Sequence, residues 1–186
     1  WDEGFREVGW SQPENLRLPQ NFWQSLTPQW QRHCVLRTDY ARRIALVEID
    51  VLVAKTLGLT LDELLLIYRV QFPVMRQNEK DTWYDINGRI VFTISRGLIG
   101  VGLPRNAGRN EEPGEVSFPD GRKSSVPLGW NDVQNLPDGA VVSREIDDDT
   151  MPGGPHIRKQ SFEAPFALAN REEDYKIAWT FFEEQR

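Results

Sequence analysis

The chain has 186 residues, 39% of them hydrophobic and 11% aromatic, with seven tryptophans and 27% charged residues, a composition that supports a globular fold. Cys34 is the only cysteine, which excludes an internal disulfide, argues against a secreted scaffold and points to a reducing cytosol. The net charge of −6 is uneven: residues 30–110 hold twelve Lys or Arg against eight acids, residues 111–186 eight against sixteen. The middle third could face a polyanion, but charge alone favours the plain reading that a larger protein distributes its charge unevenly.

No run approaches the roughly 18 apolar residues of a membrane helix. No signal-peptide pattern opens the chain either. Because it opens on Trp1, the sequence reads as a soluble intracellular segment of a longer protein. Residues 1–37 scatter Trp1, Phe5, Trp10, Phe22, Trp23 and Trp30 among prolines. Few basic residues interleave with these rings, so packing is preferred over base stacking, and the expectation is an irregular arm lying on the domain body or on an upstream part.

Regular structure begins near Thr38 or Asp39, good N-cap residues before a stretch free of Gly and Pro from Ala41 to Leu57. Ile44, Val47, Val51 and Ala54 recur at helical spacing. Leu46, Ile49, Val53 and Leu57 widen the stripe. So broad a face predicts burial on more than one side. Gly58 is the expected stop. Thr60 with Glu63 then has capping-box spacing, opening a second helix that ends near Phe72 because Pro73 follows. The pair spans residues 39–72.

A polar link from Arg76 to Lys80 precedes a hairpin over residues 82–94, with Asn87-Gly88 as its turn. A second hairpin over residues 116–126 turns at Pro119-Asp120-Gly121. Asn106–Gly114 and Asp147–Pro155 read as loops. The chain closes on a helix over residues 171–185, whose Tyr175, Ala178, Trp179 and Phe182 share one face. No internal repeat is present. The fold class is α+β: an N-terminal arm, residues 1–37, and a single domain, residues 38–186, in which a helix pair packs with a small antiparallel sheet of hairpins and a C-terminal helix.

Catalytic constellations fail one by one. His33 and Cys34 are neighbours, and neighbours in a helix or strand point apart, so they form no dyad. Asp147, Asp148, Asp149 and His156 lack the spacing of a calcium loop and read as a solvated turn. Gly97, Gly100 and Gly102 are spaced G-x-x-G-x-G, not as a dinucleotide fingerprint, and Pro104 stands where a helix should begin. Asp138 with Asp174-Tyr175-Lys176 has the letters of a restriction-type nuclease, yet the first lies in a Pro-Asp-Gly turn and the rest in a helix. No catalytic, cofactor-binding or metal-binding residue is assigned.

The run Ala45–Ala54, followed by Leu57-Gly58-Leu59-Thr60-Leu61-Asp62-Glu63-Leu64, resembles the C-terminal region of large bacterial restriction–modification methylases, where a helix, a tight link and a second helix recur. Ile67–Arg76, Asp81–Asp85, Asn87–Phe92 and Arg171–Tyr175 are similar to an actinobacterial branch of that group. The resemblance covers most of residues 38–186. It implies a cytoplasmic, adenine-specific DNA methyltransferase of restriction or phage defence as the parent, using S-adenosylmethionine. Its Gly-rich cofactor motif and the Asn-Pro-Pro-Tyr motif that grips a flipped adenine do not occur in these 186 residues. The chain itself is therefore expected to be non-catalytic and without a cofactor of its own. Its expected partners are the upstream methylase domain and double-stranded DNA.

On this reading the chain is an accessory domain for DNA recognition or positioning. Arg42, Arg43, Arg69, Arg76, Lys80, Arg89 and Arg96 are then the candidate phosphate contacts, as cations of the only net-basic third. The alternative is a protein-interaction or scaffolding domain, suited by the aromatic arm and the broad helix stripe. The acidic last third weighs against direct DNA contact.

Overall fold

The computed structural model describes residues 9–94, 101–108, 113–150 and 152–184. Trp1, Phe5, Arg96, Gly97, Gly100 and part of the expected loop Asn106–Gly114 lie outside the described residues. The fold is α+β, with two small antiparallel sheets and a C-terminal helix. The chain divides into two compact units, Trp1–Gln77 with Asn170–Arg186, and Asn78–Ala169. That division differs from the expected boundary at residue 37: the arm and the closing helix share a unit with the helix pair, and the strands form the other.

In the helical unit, a short α1 (Phe22–Ser25) and a 3-10 turn (Arg32–Cys34) precede α2 (Asp39–Thr56), α3 (Leu61–Gln71) and α4 (Pro73–Glu79), and α6 (Arg171–Glu184) returns from the far end of the sequence. The Thr38 side chain accepts from the Ala41 N–H and so caps α2. At its other end Gly58 adopts φ +74°. Gly58 N–H then donates to the Lys55 carbonyl and Leu59 N–H to that of Ala54, the bonding of a Schellman stop. Thr60 and Glu63 form the expected capping box at 2.8 and 3.3 Å. Pro73 ends α3 as expected but also starts α4, because proline suits a first helical turn. Most of the expected polar link is therefore helix.

Val47, Val51 and Ala54 of α2 pack with Leu64, Leu65 and Tyr68 of α3 and with Tyr175, Ala178 and Trp179 of α6. The arm belongs to this unit: Trp10 is buried and its ring meets Phe22 and Trp23 with centroids 6.0 and 5.2 Å away. Trp30 stays exposed.

The sheet unit holds β1 (Trp83–Tyr84), β2 (Ile90–Phe92), β3 (Gly114–Ser117), β4 (Lys123–Val126), α5 (Trp130–Val133), β5 (Val141–Asp148), β6 (His156–Glu163) and β7 (Ala167–Leu168). One sheet runs β2-β1-β7 and the other β4-β3-β5-β6, all antiparallel. Both expected hairpins are present. The longest one was not expected: β5 and β6 pair in unbroken register from Val141↔Glu163 to Asp148↔His156. The stretch read as a loop from Asp147 thus begins as strand. Val116, Val142 and Phe162 line up on the buried face of the larger sheet, while Ser125, Glu115, Ser143 and Ser161 cross its other face. Trp130 is the hub of the core, its ring 5.7 Å from Phe92, 5.2 Å from Trp83 and 5.6 Å from Phe166. No helix among the described residues is long and apolar enough to cross a membrane.

Candidate functional site

The candidate phosphate contacts divide between the two units. Arg43 is the clearest correction: it is only 6% exposed, and its guanidinium sits 2.6 Å from the Asp174 carboxylate, itself buried. Gln12 Nε2 donates to the second oxygen of that carboxylate at 2.7 Å. Arg43 follows Tyr40 at i+3 and precedes Val47 at i+4, both buried, so helical spacing turns it inward. It offers no surface to a phosphate. The signal that would have found this is its place beside the buried stripe; its partner, 131 residues away, has no local signature.

The other cations of the helical unit are also engaged. Arg42 pairs with Asp39. Arg69 grips Glu172 through two bonds of 3.0 and 2.6 Å, which hold the Glu172 carboxyl below its ordinary range. Arg76 donates to the Arg69 carbonyl at 3.1 Å. In the sheet unit, Arg89 bonds through Nε, at 2.9 Å, to fully buried Asp85, whose other oxygen accepts from the Arg89 N–H. That ring of bonds closes the Asn87-Gly88 turn. Lys80 is exposed, and Arg96 lies outside the described residues. Exposed ion pairs contribute little to stability, but each must be given up before its cation can serve a phosphate.

The reactive side chains are no better gathered. His33 is exposed, while Cys34 Sγ faces the Thr27 hydroxyl at 3.7 Å, and hydrogen bonds from Thr27 lower its thiol pKa. Asp148 accepts from the Thr150 hydroxyl and pairs with Arg158 at 3.0 Å. Asp147 pairs in register with Ile157 and Asp148 with His156, and successive residues of a strand face opposite ways. Among the described residues no group of three or more His, Cys, Asp or Glu could hold a metal ion.

The polar network of the helical unit is structural in form. Glu48 accepts from the Ser11 N–H at 2.7 Å, tying the arm to α2, and burial pushes its carboxyl up. Asp50 accepts from the Tyr175 hydroxyl at 2.7 Å and from Arg171 at 3.1 Å. Burial pushes the Tyr175 phenol up to about 12. Arg171 also lies over the rings of Tyr68 and Tyr175. Glu48, Asp50, Tyr175 and Arg171 each have a partner inside the fold.

What stands open is apolar. Ile44, Val47, Val51 and Ala54 are sealed on the inner face of α2, as expected. The residues that widen the stripe are not: Leu46 is 55% exposed, Ile49 53%, Val53 51% and Leu57 70%, and Leu52 stands beside them. The expectation of burial on both sides is thus met on one side only. At 100° per residue these five cluster within a single outward face. Its charges are Arg42 and Asp39, paired with each other at the leading end, and Thr56 is its other polar side chain. On α3, Leu66, Ile67 and Val70 are exposed too, as is Val74 on α4.

The chain matches no protein-family model, no curated protein and no solved structure. Its function must therefore be argued from its own surfaces.

Proposed function

We propose that the chain is a non-catalytic protein-interaction domain, and that the outer face of α2 is the surface it uses. One observation carries this: a helix whose Leu46, Ile49, Leu52, Val53 and Leu57 all face outward. Scattered apolar residues on a surface are ordinary, whereas a continuous apolar helix face marks a contact with another surface. The setting comes from the resemblance to restriction–modification methylases. In a cytoplasmic methylase that uses S-adenosylmethionine elsewhere, such a domain would join the catalytic core or a partner subunit and act as scaffold.

Direct DNA recognition is the weaker reading. Its best cations are held by carboxylates, and Arg43 is enclosed. Two measurements on the same sample separate the readings. A hydrophobic dye should bind the chain, and the triple change Leu46→Ser, Ile49→Asp and Val53→Ser should abolish most of that signal with far-UV circular dichroism unchanged. Fluorescence anisotropy with a random duplex should show little binding at moderate salt. Micromolar binding that falls steeply with salt would instead favour DNA recognition. A dye signal untouched by the triple change would remove the outer face of α2 from consideration.

A further inference from the structure

The outer face of α2 is apolar along its length, but its two ends differ in charge. Arg32, Arg37 and Arg42 stand at the leading end, with Asp39 the only acid among them. Beyond Gly58, at the trailing end, come Asp62 and Glu63, and no Lys or Arg occurs from residue 56 to residue 68. The helix dipole adds to the contrast, being positive at the start of α2 and negative at its end. A surface with unlike ends and an apolar middle complements itself when turned end for end.

Resting on the interaction reading above, we propose that the partner of this face is a second copy of the chain, bound antiparallel about a two-fold axis near Ile49. Ile49 lies midway between Arg42 and Leu57, the limits of the outward face. With the axis there, Leu46 of one copy faces Leu52 and Val53 of the other, and Arg42 faces Leu57. Arg37 and Arg42 then approach the other copy's Asp62 and Glu63. The contact is isologous, the commonest kind in soluble homo-oligomers. A parallel pair would set Arg37 against Arg37 and Asp62 against Asp62, and like charges brought together suppress binding.

The size of the face sets the strength. Eighteen residues make a helix about 27 Å long and roughly 10 Å across. That falls short of the ~800 Å² per partner of a stable complex. The expected dimer is therefore a weak, reversible one.

Sedimentation equilibrium of the full chain over a concentration series should show a reversible monomer–dimer equilibrium. Ile49→Asp should weaken it by at least about tenfold, as loss of a central apolar anchor does, with far-UV circular dichroism unchanged. Arg37→Glu should weaken it about two- to fivefold, as surface charge pairs do, and adding Asp62→Lys should restore it.

Orientation is tested in a Cys34→Ser background with a short bis-maleimide. Ile49→Cys should cross-link to itself. Arg42→Cys and Leu57→Cys should not cross-link to themselves but should do so when mixed. Self-linking at position 42 or 57 would show a parallel pair and overturn the proposal. A chain monomeric at every concentration overturns it as well, and dye binding then tells which idea has failed. A signal lost with Ile49→Asp leaves the docking face standing without the second copy, whereas a signal that Ile49→Asp does not change removes both.

Discussion

Seventeen large hydrophobic residues are exposed among those described; ten fall between Leu46 and Val74, and only three belong to the sheet unit. The two units manage their surfaces differently. In the larger sheet, period-two alternation sends Val116, Val142 and Phe162 inward and the small polar Ser125, Ser143 and Ser161 to the other face, the alternation of an antiparallel sheet with one apolar side. In α2 the period is 3.6, and large apolar side chains stand on the outer face as well as on the inner one. An amphipathic surface helix turns one apolar stripe to its core and polar residues outward, and the outer face of α2 departs from that pattern. The sheet unit is finished by its own sequence, whereas the helical unit calls for something further.

The sharpest way to break this comparison is to attack what holds the helical unit from within. Asp174→Ala leaves Arg43 buried without its counter-ion and should cost about 3–5 kcal/mol, read as a shift in urea midpoint. Replacing both residues, as Arg43→Met with Asp174→Leu, should recover most of that loss. If Asp174→Ala costs no more than an exposed substitution, the Arg43–Asp174 pair is not what closes the unit.

Next in size is the contrast between the two faces of α2. Ile44 is fully buried, so Ile44→Ala should cost about 2–5 kcal/mol. Ile49→Ala, five residues on and outward, should stay within about 0.5 kcal/mol when the protein is dilute. Similar losses at the two positions would mean that Ile49 is already covered, and the outward face would lose its meaning.

A smaller effect, with a definite sign, belongs to Glu48. Burial raises its folded-state pKa above the ordinary carboxylate value. A raised carboxyl holds its proton more tightly in the folded chain than in the unfolded one. Its contribution thus favours folding at low pH and is lost as pH rises through the unfolded and then the folded value. Glu48→Gln keeps an acceptor for the Ser11 N–H and should be more stable than the parent at neutral pH. That advantage should vanish as pH falls below about 4. An advantage that does not change with pH would show that ionisation of Glu48 is not its origin.

Much of this fold was legible in the sequence where local chemistry decides. Thr38, Gly58, Thr60 with Glu63, and Asn87-Gly88 each specify a cap, a stop or a turn through bonds within a few residues. The β5–β6 hairpin escaped because Asp147 and Asp148 look like loop residues, and only pairing with Ile157 and His156 makes them strand. The division into units escaped for a related reason: α6 joins α2 across more than a hundred residues, and no local pattern encodes that return. Arg43 was misjudged by residue type, since an arginine in a basic stretch suggests a surface. The stripe Leu46, Ile49, Val53 and Leu57 was visible as apolar, yet which face it takes depends on where α3 and α6 settle.

The smallest expected effect separates backbone strain from crowding, with one glycine from each unit. Gly58 ends α2 at φ +74° and an added Cβ there would meet nothing within 4 Å. Gly58→Ala should therefore cost only the left-handed conformation, about 1 kcal/mol. Gly102 has φ +67°, but its added Cβ would come within 2.8 Å of the Val91 carbonyl oxygen, in a strand the core cannot easily move. Gly102→Ala should cost more, and the excess over Gly58→Ala measures how firmly β2 is held. Equal losses would mean that β2 gives way, and that the sheet unit is less rigidly packed than its buried Val91 and Phe92 imply.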